Sequence, residues 1–191
     1  MKRTLTALTV AATMFAISAS AFDTTDLNRL RDTGDCYTCD LAGAFLNNAT
    51  LINADLRGSD LEGAALANAR LVGADLAAAN MDTSNLDGAD LSGARLVMTG
   101  LNSANLTYAK LVDANLNGAD LRGANLYRAR LRGANLSYAS LQDTDMGGAD
   151  LTGADLSGAN LIRSNLALAI LNGAILCNTT MPDGSVIYSG C

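Results

Sequence analysis

The chain has 191 residues, 13 Lys and Arg against 19 Asp and Glu, a net charge of −6, and neither histidine nor tryptophan. That acidic balance excludes a nucleic-acid ligand gripped by clustered cations, because phosphate contacts need Lys and Arg. The lack of histidine removes the commonest general base and metal ligand, so no catalytic, metal or cofactor site is expected.

The first element in chain order, residues 1–21, reads as a signal segment. Lys2 and Arg3 form a positive start, Leu5 to Ile17 an apolar run, and Ala19-Ser20-Ala21 a small-residue cleavage site. The run is shorter than the roughly 20 residues that cross a bilayer, so cleavage before Phe22, with no membrane span left behind, is expected. Removal takes two cations and no acids, leaving a net charge of −8. Residues 22–38 then read as an N-terminal cap with a short helix over 25–32. Thr24 or Thr25 serves as its N-cap, Asp26 suits the first turn, Leu27 and Leu30 share a face, Arg29 and Arg31 come late, and Gly34 is a stop.

From Leu41 to Met181 a large residue stands at every fifth position without insertion or deletion. Of these 29 positions Leu fills 26, and Met81, Met146 and Met181 fill the rest. Two residues before each lies a small side chain: 22 are Ala, and the others are Cys39, Ser59, Ser84, Thr99, Thr144, Ser164 and Thr179. The position between is most often Asp or Asn, as in Ala54-Asp55-Leu56 and Ala104-Asn105-Leu106. A period of five fits neither the helical period of about 3.6 nor the strand period of about 2. A spacing of two, however, puts the small residue and Leu on one face of a short extended segment, with the polar residue facing outward. The next two residues must turn the chain, and Gly is frequent at the second, as at Gly58, Gly73, Gly133 and Gly158. Turns every five residues make coils, and coils pair their backbones by stacking into a solenoid over residues 39–183.

The pattern A-[D/N]-L-x-x over residues 39–183 resembles the pentapeptide-repeat family. The resemblance implies an all-β fold, a right-handed four-sided β-helix of about seven coils, each rising about 4.8 Å. Residues 20 apart then stack in columns. The segments 33–41 and 176–184 are similar to those of exported and thylakoid-lumen-type members, which implies disulfide-stapled caps in an oxidising compartment. Of three possible pairings, Cys36 with Cys39 and Cys177 with Cys191 suit a column that separates the two clusters, and that separation also denies zinc a four-cysteine site. A rival use of Cys36-x-x-Cys39 is thiol–disulfide exchange; Cys39, however, occupies a small-residue core position of the first repeat. Pro182-Asp183-Gly184 breaks the pattern with a turn, and residues 184–191 form a C-terminal cap in which Val186, Ile187 and Tyr188 supply apolar cover.

On the surface, Asn85, Asn105 and Asn125 fall in one column and Asn115 and Asn135 in another, which suggests hydrogen-bonded Asn ladders. Asp40 with Asp60, and Asp55 with Asp75, make acidic pairs that Arg57 and Arg70 dilute. A continuous acidic stripe would imply DNA mimicry toward a topoisomerase, as resemblance to the quinolone-resistance members suggests; Arg95, Lys110, Arg122, Arg128, Arg130 and Arg132 interrupt it, and export would remove the protein from gyrase. From Leu121 to Gln142 there are four arginines and no acid. Tyr108 stands one coil above Arg128, which suggests a cation–π pair. A candidate interaction band follows, made of Tyr108, Arg122, Tyr127, Arg128, Arg130, Arg132 and Tyr138, for a protein or other anionic partner. The expected function is a non-catalytic scaffold or interaction module exported to a periplasm, lumen or extracellular equivalent, as a monomer or an end-to-end homodimer. The alternatives are a DNA-mimic topoisomerase-binding protein and a thiol–disulfide redox protein using Cys36 and Cys39.

Overall fold

A computed structural model describes residues 22–188 and 190–191; the expected signal segment, residues 1–21, lies outside the described residues. Helix α1 spans Thr24–Thr33. Its N-cap is Asp23 rather than a threonine, because the Asp23 carboxylate accepts from the Thr25 N–H at 2.7 Å and leaves the threonines inside the first turn. Gly34 closes the helix at φ 79°, a left-handed conformation in which its N–H reaches the Leu30 carbonyl at 2.8 Å.

The pentapeptide turns itself by a local hydrogen bond. The carbonyl of each large residue accepts from the N–H three residues on, as in Ala44 to Leu41 at 2.9 Å and Ala64 to Leu61 at 3.0 Å. The second residue of that turn sits at positive φ at every fifth position from Thr38 to Asn178, which is why Gly recurs there. Sixteen of these positions hold another residue, Tyr108, Arg128 and Tyr138 among them. Their side chains lean over the next coil, where a glycine often makes room. The Tyr138 ring lies against Gly158, where an added Cβ would come within 2.7 Å of it, and the Asn68 amide is likewise 2.7 Å from the site of a Gly88 Cβ.

Coils join through parallel bridges between residues 20 apart, from Asp40 with Asp60 to Asn160 with Thr180. Each register carries repeated bonds: Asp60 N–H to the Cys39 carbonyl at 2.8 Å, Leu41 N–H to Asp60 at 2.7 Å, and Gly43 N–H to Glu62 at 2.7 Å. The fold is therefore a parallel β-helix with four turns between bridged residues. Leu56 to Leu161 and their Ala partners line its interior at essentially zero exposure, each leucine contributing about 1.5–3 kcal/mol relative to an exposed one. Where a hydroxyl replaces Ala it finds a carbonyl inside: Ser59 Oγ donates to Leu56 at 2.6 Å and Thr99 Oγ1 to Leu76 at 2.8 Å.

The Asp and Asn between Ala and Leu do local work. Asp75 Oδ1 accepts the Ala77 N–H at 3.1 Å, Asn105 Oδ1 the Thr107 N–H at 3.2 Å, and Asn135 Oδ1 the Ser137 N–H at 2.9 Å. Each satisfies the outward N–H that opens the turn, an Asx turn repeated down the column. The ladder reading holds at one rung: Asn105 donates to Asn85 Oδ1 at 3.1 Å while that oxygen also accepts the Asp87 N–H at 3.2 Å. Asn115 and Asn135 accept the N–H groups of Asn117 and Ser137, and their side chains are not joined to each other.

The two ends are closed by different means. At the N-terminus Phe22, Leu27 and Leu30 of the α1 segment pack on the core, and the segment takes up raw edge groups: Asp40 N–H donates to Asp26 Oδ2 at 2.9 Å and Asp55 N–H to Asp35 Oδ1 at 3.0 Å. At the C-terminus strand β1, Thr179–Thr180, pairs antiparallel with strand β2, Val186–Ile187.

Candidate interaction surface

Stacking places the band residues differently from their order in sequence. Arg122, Tyr127 with Arg128, Arg132, and Tyr138 occupy four successive turns, so the band runs around the coil and no single face presents all of it. What the fold brings together is one corner. Tyr108 and Tyr127 meet edge to face with ring centres 6.2 Å apart and planes at 76°, and the Arg128 guanidinium lies 5.3 Å from the Tyr127 ring centre. The cation–π partner of Arg128 is thus Tyr127, not Tyr108. Arg128 leans away from Tyr108, its Cγ 3.3 Å from where a Gly148 Cβ would stand, and Tyr127 beside it receives the guanidinium. Tyr108 is 52% exposed, Tyr138 71%.

Several charges of the band find acids, some beside them in the sequence and some one coil away. Arg122 chelates Asp120 through Nε and Nη2 at 2.8 and 2.6 Å, which holds that carboxyl below its ordinary range despite partial burial. Arg132 approaches Asp150 at 3.9 Å, and Asp150, held low chiefly by the Thr152 hydroxyl, is bridged by backbone to Arg130. Lys110 pairs with Asp90 at 3.3 Å. Among the described residues Arg128 and Arg130 have no carboxylate within 4.0 Å. Toward the N-terminus Arg57 chelates Asp55 at 2.7 and 2.6 Å, and Arg95 takes both oxygens of Asp75 at 3.1 Å. Arg70 lies in a different column, bridged to Thr50 and Asp90, and dilutes neither acidic pair.

Cys36 and Cys39 are joined with a Cα separation of 5.3 Å, and Cys177 and Cys191 with one of 4.8 Å. The first bridge lies beneath α1 at 0 and 1% exposure, with Cys36 Sγ 3.2 Å from the Asp26 carbonyl. Disulfide sulfurs carry no hydrogen, so this is a packing contact. Asp26 stands beside both sulfurs, yet with the cysteines bonded it offers one carboxylate and no thiolate, too little to hold a metal. An attacking thiol would have to lift α1 to reach this bridge. The second bridge ends at exposed Cys191.

Sequence reasoning reached the residues of the corner through their columns but missed which of them touch. It also missed the Asx turns, although an Asp or Asn followed two residues later by the first turn residue was a usable signal.

A chain of identical five-residue turns stacked into a parallel β-helix is a repeat solenoid. Its sequence matches the profile described as "Pentapeptide repeats" in eight copies over residues 35–66, 59–96, 101–137, 129–167 and 144–181, and the chain belongs to that family. Among solved structures it is similar to HetL from the cyanobacterium Nostoc sp. strain PCC 7120, a pentapeptide repeat protein involved in heterocyst differentiation regulation. Identity is 34%, covering 76% of each chain, with a TM-score of 0.39. It is also similar to alr5209, a pentapeptide repeat protein from Nostoc PCC 7120, at 44% identity over 42% of this chain and 66% of that one, with a TM-score of 0.42. A third is AT2G44920 from the thylakoid lumen of Arabidopsis thaliana, at 26% identity over 67% of this chain and 72% of that one, with a TM-score of 0.29. Among curated proteins none matches the chain. No helix among the described residues is long and apolar enough to cross a membrane.

Proposed function

We propose that this protein is an exported, non-catalytic interaction module: a right-handed, four-sided column of about seven coils that offers the Tyr108, Tyr127, Arg128 and Arg130 corner to an acidic protein partner. The observation that carries the reading is this corner. Tyr108 and Arg128 hold positive φ, at 56 and 54°, where glycine would relieve the backbone. The coil thus carries the cost of two large side chains projected from rigid turns, and Tyr and Arg are the residue types that anchor interfaces. Among the described residues Arg128 and Arg130 have no ion pair within 4.0 Å, although Arg130 acts on Asp150 from farther away, while Arg122 and Arg132, with closer acids, and Tyr138, on another turn, stand outside the contact. Export is supported by the Lys2-Arg3 start with its apolar run and by four cysteines in two disulfides. Ion pairing of Asp55, Asp75, Asp90, Asp120 and Asp143 weakens the case for a DNA-mimic stripe, and burial of Cys36–Cys39 weakens that for a redox role.

The test is crosslinking with mass spectrometry on protein recovered from its own compartment, comparing the wild type with Arg128→Glu plus Arg130→Glu. A partner lost in the double variant, and released at about 0.5 M salt where charges beyond a few ångströms are screened, supports the corner. Capture that is indifferent to both sinks it.

A further inference from the structure

Four registers of bridged residues run along the β-helix, and their outward side chains are charged unequally. Three of the registers together carry seven acids against one cation, Arg95. The fourth reverses the balance: Thr50, Arg70, Asp90, Lys110, Arg130 and Asp150 follow one another, three cations against two acids. Eight cations of the described residues lie within 4.0 Å of a carboxylate. The three described cations that do not are Arg70, Arg128 and Arg130, all exposed. Arg70 and Arg130 belong to this fourth register, and Arg128 stands on the corner beside it. Between Arg70 and Arg130, Lys110 and Asp90 neutralise each other at 3.3 Å. Three coil spacings of about 4.8 Å put Arg70 about 14 Å from Arg130 along the column axis.

We infer that this register binds an extended acidic segment of the protein partner, laid along the column axis with two acids four residues apart. The inference rests on the corner reading above and adds to it a second anchor, Arg70. An extended chain advances about 3.3 Å per residue and returns to the same face at every second residue, so residues i and i+4 lie about 13 Å apart and point the same way. One acid then meets Arg70 and the other Arg128 and Arg130. Residue i+2 falls over the Lys110–Asp90 pair, where Asp90 disfavours a third acid. A helix does not match the spacing. It advances about 1.5 Å per residue, so about 14 Å takes about nine residues, or about two and a half turns, and the second acid faces away. Asp150, one coil beyond Arg130, repels an acid placed farther on and ends the track. In a chain of net charge −6 the overall field does not draw in an acidic partner, so recognition depends on these close contacts.

The experiment titrates two end-blocked Ser/Thr peptides of equal charge into isotope-labelled protein at about 0.02 M salt, where surface charges are little screened, and follows the amide shifts by NMR. One peptide carries two Asp four residues apart, the other two adjacent Asp. The spaced peptide should bind about threefold to fivefold more tightly, the worth of one further exposed ion pair, and should move the amides of Arg70 and Arg130 together. Arg70→Glu should abolish that preference without changing the melting temperature, and Arg128→Glu plus Arg130→Glu should remove binding of both peptides. Equal affinity for the two peptides, or a preference that survives Arg70→Glu, overturns the inference; the corner reading still stands if the double variant abolishes binding. Binding untouched by every substitution sinks both. A preference for two acids seven apart in an Ala-based helical peptide, or no binding of either extended peptide at about 10 mM, also overturns the inference.

Discussion

Two glycines five residues apart separate the cost of backbone conformation from the cost of a neighbour. Gly153 and Gly158 both sit at φ 67°, but a Cβ on Gly153 would meet nothing within 4 Å, whereas one on Gly158 would stand 2.7 and 2.8 Å from Cδ1 and Cε1 of Tyr138. Left-handed backbone costs an L-residue about 1–2 kcal/mol, partly offset by about 0.4–1 kcal/mol from a stiffer unfolded chain. Gly153→Ala should therefore destabilise by about 1 kcal/mol. Gly158→Ala adds a displacement of the ring by about 1 Å, to recover the normal carbon contact of about 3.5–4 Å. Because Tyr138 is 71% exposed it can swing outward, so the added loss is that of its contact with the coil, about 1 kcal/mol within the range for overpacking. In thermal melts the two variants should fall by about 2–4 °C and about 4–8 °C respectively. The difference should vanish in a Tyr138→Ala background, which removes the ring but leaves both φ values alone. Equal melting temperatures for Gly153→Ala and Gly158→Ala with Tyr138 present would refute the idea that turn side chains lie across the next coil's glycine.

Ala124 is 1% exposed and packed within the core, so Ala124→Leu should cost a few kcal/mol by overpacking, and an unchanged melting temperature would contradict the close-packed interior. The exposed Cys177–Cys191 bridge should be reduced by a dithiol well before buried Cys36–Cys39, as timed alkylation and mass spectrometry would show. Cys177→Ser should remove up to about 3 kcal/mol from the C-terminal hairpin if loop entropy dominates. Asp55, Asp120 and Asp143 are held below the ordinary carboxylate range, chiefly by hydrogen bonds from Arg57, Arg122 and Arg163. Their folded values lie under the unfolded one, so the stability they contribute is complete above about pH 4 and is lost as pH falls through the depressed values. Asp120→Asn keeps the acceptor for the Arg122 N–H, so it should blunt that acid slope while leaving the turn intact; an unaltered slope by denaturant titration would remove Asp120 from the account.

Much of this protein was settled by spacing alone. Small and large residues two apart at a period of five force a short extended segment and a turn, and nothing but stacking can then pair the backbone; the inward Leu and Ala and the role of Gly need no further information. The polar position carried more than its exposure suggested, since Asp75 and Asn135 close the turn they precede, a local bond that the sequence contained but that outward-facing polarity concealed. The interaction band shows where one dimension fails. Between Leu121 and Gln142 the chain holds arginines without acids, yet Arg122 reaches back two residues to Asp120 and Arg132 meets Asp150 because stacking makes neighbours of residues about 20 apart. Only the tertiary structure could therefore decide which charges remain free, that Arg128 turns to Tyr127 rather than Tyr108, and that the band divides among four turns. The exposure of Leu166 and Leu171 belongs to the same class of fact: they match every other leucine of the repeat in sequence, yet are only partly buried because no coil among the described residues covers them.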